Sequence, residues 1–144
     1  MNAGFTELFV MRPEHLRGLR RPRVRPLLDT LVAELRRSFP EELVALDEDE
    51  LRDEVEEGAL RAVGYGLVTF RDLARFLNLL VVYGWNCDLE RPWMAALLSD
   101  GEVPLPSARL DRLVRASIER LRSEHANAQA RQRHAAAAEG GARR

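Results

Sequence analysis

Apolar residues recur along this chain at the three- and four-residue spacing of one helix face. Leu27, Leu28, Leu31, Val32, Leu35 and Phe39 form the first such stripe, and Pro40 closes it. The next helix announces its start: Asp47 followed by Glu50 makes a capping box, and Glu48 and Asp49 suit the positive end of the helix dipole. Leu51, Val55, Ala59, Leu60 and Val63 mark its buried side, with Gly64 as a left-handed C-cap. Thr69 and Asp72 repeat the capping pattern. Behind them Phe70, Leu73, Ala74, Phe76, Leu77, Leu80, Val81 and Tyr83 cover well over one face, which predicts a central helix ended by Gly84.

The flanking segments are less regular. Phe5 to Met11 reads as a short extended arm, and Pro13 opens a short helix, PEHLRGLRR. Pro22 and Pro26 then interrupt the chain, since each lacks an N–H and restricts the residue before it. After a loop from Gly84, Pro92 to Leu98 is a short helix, and Ser99, Asp100, Gly101, Pro104 and Pro106 make a connector. Ser107 is the expected N-cap of a last long helix with Leu110, Leu113, Val114, Ile118 and Leu121 on its apolar side. Beyond about Glu124 the stripe gives way to Ala, Gln and Arg, which favour helix but have nothing to bury. The expected fold is therefore an all-α single-domain bundle of five to six helices over residues 1–124, with a short extended N-terminal arm. Residues 125–144 form an Ala/Arg-rich tail, helical and exposed at first and disordered at Gly140 and Gly141.

Composition narrows the class. A chain of 144 residues, 46% hydrophobic and 31% charged, can bury a real core and reads as a globular protein. Its one cysteine, Cys87, cannot form an internal disulfide, and no apolar run reaches membrane-spanning length, so a reducing cytoplasm is the expected setting. All 22 basic residues are Arg, most simply a bias of genomic composition. The net charge of −1 conceals segregation: Glu41 to Glu57 holds ten acids against Arg52 alone, and the segments before and after are basic or near neutral. An acidic helix can lie between basic ones, or offer a face to a basic partner.

No catalytic or metal signature emerges. His15, His125 and His134 lie outside ligand spacing of each other and of Cys87, so no structural metal site is expected. Gly64-Tyr65-Gly66 is a helix-to-helix turn, because no strand precedes it and no GK[ST] follows. Asp88 beside Cys87 would raise the thiol pKa, which argues for an inert cysteine. The expectation is a chain that is not an enzyme and takes no cofactor.

Two binding readings remain. Arg17, Arg20, Arg21, Arg23 and Arg25, with Arg109, Arg112, Arg115, Arg120 and Arg122, could neutralise phosphates, the alternative of an Arg-dependent nucleic-acid-binding regulator. Against it stand a pI near 6.3, an acidic helix and a second helix of the Val63 to Arg75 pair too apolar for a groove. The favoured surface is the loop at the exit of the central helix, where Tyr83, Trp85, Asn86, Asp88, Arg91 and Trp93 mix aromatic, amide and charged groups typical of protein-binding patches. The alternative is that Trp85 and Trp93 close the core while Asn86 and Asp88 cap the next helix.

The order of MRPEHLRGL, LVAELRRSFPE, ALRAVGYGLVTFRDLARFLNLLVVYG, PWMAALLSD and SARLDRLVRASIERL resembles small helical proteins encoded beside type VI secretion spike and toxin genes of Gram-negative bacteria. The similarity spans roughly residues 8 to 122 and is most specific from Tyr65 to Leu79. The chain departs from that pattern where Pro22 and Pro26 break the usual long first helix. The resemblance implies a protein-binding accessory, adaptor, chaperone or toxin-neutralising partner, of a secretion effector or spike component. It transfers no catalytic residue.

Overall fold

The computed structural model describes residues 25–142, and these hold six helices and no strand. They are α1 (Arg25–Ser38), α2 (Glu48–Gly64), α3 (Phe70–Tyr83), α4 (Cys87–Glu90), α5 (Pro92–Leu98) and α6 (Pro106–Gly141). The expected arm at Phe5 to Met11 and the helix opened by Pro13 lie outside the described residues. The chain divides into two units between Leu110 and Asp111, inside α6.

In the first unit α2 packs on both α1 and α3, and α1 also touches α3. The apolar stripe of α1 buries Leu28, Leu31, Val32 and Leu35, as its spacing predicts. A fully buried side chain of this size contributes about 1.5–3 kcal/mol. The turn after α1 is held from inside. Arg36 donates to the carbonyls of Leu43 at 3.0 Å and Leu46 at 2.8 Å, and pairs with Glu48 at 3.3 Å. Leu43 thereby enters the core at 2% exposure.

Both caps written in the sequence form. The Asp47 carboxylate accepts the Glu50 N–H at 2.8 Å, and the Glu50 side chain accepts the Asp47 N–H at 3.0 Å. Thr69 accepts the Asp72 N–H at 3.2 Å. On the buried side of α2, Leu60 is 37% exposed, and Gly58 and Ala62 are buried beside the expected Leu51, Val55, Ala59 and Val63. A Cβ on Gly58 would meet Leu80 Cδ1 at 2.7 Å and Leu77 Cδ2 at 2.8 Å. The missing side chain is what lets α2 and α3 approach so closely.

The end of α2 corrects one expectation. Gly64 is the last helical residue, and the left-handed position falls two residues later at Gly66, with φ 86°. The Leu67 N–H donates to the Ala62 carbonyl and the Gly66 N–H to the Val63 carbonyl, each at 2.9 Å. Those are the two bonds of a Schellman motif, which needs glycine at its penultimate position. Gly66 is fixed a second time by Pro106, whose Cγ would lie 2.9 Å from any Cβ there.

The last helix starts two residues early, on Pro106, and Ser107 does not cap it. Its hydroxyl donates instead to the carboxylate of Asp72, which is 4% exposed. In the second unit Leu113 and Ser117 are buried. Ile118 and Leu121, expected on the apolar side, are 44% and 43% exposed, because burial stops at Ser117. The helix nonetheless runs on through Gly140 to Gly141, where disorder was expected, and every residue from 118 to 142 is exposed.

Candidate functional site

Between Gly84 and Pro92 the chain was expected to form a loop, but it makes the one-turn helix α4; α5 then spans Pro92–Leu98 as expected. Such a turn is too short to persist by propensity. Arg61 on α2 and Tyr65 just past the end of α2 hold it. Arg61 Nε donates to Asp88 Oδ2 at 3.1 Å and Oδ1 at 3.3 Å, while its Nη2 donates to the Trp85 carbonyl. The Tyr65 hydroxyl donates to Asp88 Oδ2 at 2.9 Å. Arg61 and Tyr65 are four residues apart across the end of α2, so both reach the same carboxylate. Tyr65 is fixed in turn by an edge contact with Phe76, ring centroids 6.0 Å apart.

Burial makes this clamp strong. The Asp88 side chain is 1% exposed and that of Arg61 19%. Low dielectric strengthens a charge-assisted pair, and removing one partner strands the other charge. The Tyr65 hydroxyl is pushed up to about 12, first by burial and then by its bond to Asp88, since ionising it would set two negative charges face to face. Burial and then the Asp88 charge also raise the Cys87 thiol, opposed by Arg91 and by a hydrogen bond from the Asp88 backbone. With Cys87 at 2% exposure, the thiol stays protonated and inaccessible at neutral pH.

The six residues expected at the site therefore divide. Asp88 faces inward and positions the segment. Asn86 is exposed and makes no capping bond, and Arg91, the N-cap of α5, makes none either, so neither amide nor Asp88 carboxylate caps a helix here. Tyr83, Trp85, Arg91 and Trp93 are half-buried, and the Arg91 guanidinium lies over the Tyr83 ring at 5.3 Å from its centroid. Leu89, missed in the sequence, is 63% exposed on the outer side of α4, and Val82, near the end of α3, is 53% exposed. Nothing in the sequence sets Asp88 apart from Glu90 two residues later, and only the fold brings it against Arg61 and Tyr65.

Elsewhere the chemistry is sparse. Among the described residues no three His, Cys, Asp or Glu gather as a metal site, and no helix is long and apolar enough to cross a membrane. Along α2, Asp49, Asp53 and Glu57 are exposed, and Glu54 beside them is raised by partial burial and then by the Glu57 charge. Of the expected phosphate-binding arginines, Arg17, Arg20, Arg21 and Arg23 lie outside the described residues. Arg109 donates to the carbonyl of Val103 at 2.6 Å, holding the connector. No family model matches the chain, and no curated protein or solved structure matches it either.

Proposed function

We propose that this chain is a non-enzymatic, cytoplasmic accessory protein that binds an effector or spike component of a type VI-like secretion machine. Its role is that of adaptor, chaperone or toxin-neutralising partner, and its contact surface is the segment from Tyr83 to Trp93. The observation that carries this reading is the buried Asp88 clamp, which holds an exposed Leu89 among half-exposed aromatics in one conformation. A one-turn helix anchored by buried charge gains little for a core that three long helices already form. Fixing large apolar side chains at a surface, however, lowers the ordering cost of association. Aromatic and Arg anchors of this kind dominate protein interfaces. The resemblance to helical proteins encoded beside spike and toxin genes supplies the class of partner.

The test is a titration of the purified chain with the spike and toxin proteins encoded beside its gene. One of them should form a stable complex, with Kd about 1 μM or tighter. Leu89→Asp should weaken it at least about 10-fold while the melting temperature stays put, as an exposed site allows. An absence of any complex, or an unchanged Kd for Leu89→Asp, contradicts the reading.

A further inference from the structure

Arg91 joins α4 to α5 and is half-buried. Its position over the Tyr83 ring engages the charge but none of the five N–H donors of the guanidinium. Among the described residues none of those donors reaches an acceptor, and Arg91 makes no ion pair. The nearest acids do not fill the gap. Asp88 is occupied by Arg61 and Tyr65, and the Glu90 side chain points to solvent without pairing to Arg91. A guanidinium pinned by an aromatic ring, partly desolvated and unfilled along its donor edge is complementary to a planar carboxylate.

From this geometry we infer that the partner presents an Asp or Glu side chain to Arg91, next to an apolar side chain that covers Leu89. The inference rests on the functional reading above and names the chemistry of its partner. A single cation flanked by Leu89 and the Tyr83 ring fits one carboxylate in an apolar setting. A nucleic-acid backbone, bound by several cations at once, would meet only one here.

The experiment measures Kd for the neighbouring spike or toxin protein with wild type, Arg91→Glu, Arg91→Lys and Leu89→Asp, each checked by melting temperature. Arg91→Glu should weaken binding about 30-fold or more, as for a desolvated charge pair that has lost a partner. Arg91→Lys should keep part of the affinity, having charge but no fork. Replacing the partner's acids one at a time by Arg should identify one substitution that weakens wild type and restores Arg91→Glu; this reversal holds even if Arg91→Glu perturbs the fold. If Leu89→Asp abolishes binding while Arg91→Glu binds as wild type does, the surface stands and the carboxylate is overturned. If neither matters, or if only a DNA duplex binds, the inference and the functional reading fall together.

Discussion

Two buried carboxylates flank the central helix, and they do different things. Asp72, 4% exposed in the first turn of α3, receives the Ser107 hydroxyl and has Arg75 Nη1 at 3.7 Å. Its backbone is satisfied locally by Thr69, and the helix dipole already favours its charge. Asp88, 1% exposed four residues beyond Gly84, lies on a helix of one turn with only a fraction of such a dipole, and its charge is met by Arg61 of α2 and by Tyr65 just past that helix. The first acid ties the start of α6 to the first turn of α3. The second holds a short segment that would not otherwise keep its shape, and that segment carries the exposed apolar residue. Burial of a charge thus marks a strong constraint, and what the constrained segment displays suggests its purpose.

The contrast breaks most readily by mutation. Asp88→Ala should cost about 3–5 kcal/mol in urea unfolding, because it strands the Arg61 guanidinium at 19% exposure. Asp72→Ala should cost about 1–2 kcal/mol, since Arg75 at 27% exposure can turn to water and only a hydroxyl loses its acceptor. Equal losses would mean that the two acids play the same role. Tyr65→Phe sharpens the comparison at about 1 kcal/mol, the worth of one hydrogen bond.

The same hydroxyl gives a pH signature. Its pKa is raised from 10.0 to about 12 in the folded chain, so the stability it adds is complete below pH 10 and lost as pH climbs through about 12. Absorbance titration at 295 nm should show Tyr65 ionising late, a component that Tyr65→Phe removes. The smallest effect concerns Cys87, buried behind the clamp with its thiol raised. Alkylation at pH 7–8 should be slow in the native protein and fast in denaturant; Asp88→Asn, which loosens the segment, should speed the native reaction. Rapid native labelling would show that the segment opens freely.

Much of the frame was legible along the chain. The stripes of α1, α2 and α3 follow from spacing, and the capping box at Asp47 and the Thr69 cap follow from local hydrogen bonding that a few residues encode. The clamp was not legible, because Asp88 meets partners 27 and 23 residues away, and no periodicity links an acid to an Arg hidden on an acidic helix. Ser107 misled for a similar reason: its composition suits an N-cap, yet a buried carboxylate 35 residues earlier takes its hydroxyl. Gly64 was the expected left-handed end of α2, yet Gly66 takes that position. Only the position of Leu67 in the core, 0% exposed, selects Gly66, since it sets where the chain must turn. On α6 the apolar spacing continues past the point where burial ends, so periodicity alone overstated the stripe by a turn.

Amide hydrogen exchange with and without the neighbouring spike or toxin protein reads out whether the segment held by Asp88 is the proposed partner surface. The amides from Trp85 to Trp93 should slow on complex formation, while those along the exposed acidic side of α2 keep their rates. Protection confined to α2 or to the exposed end of α6, with Trp85 to Trp93 unchanged, would contradict that role.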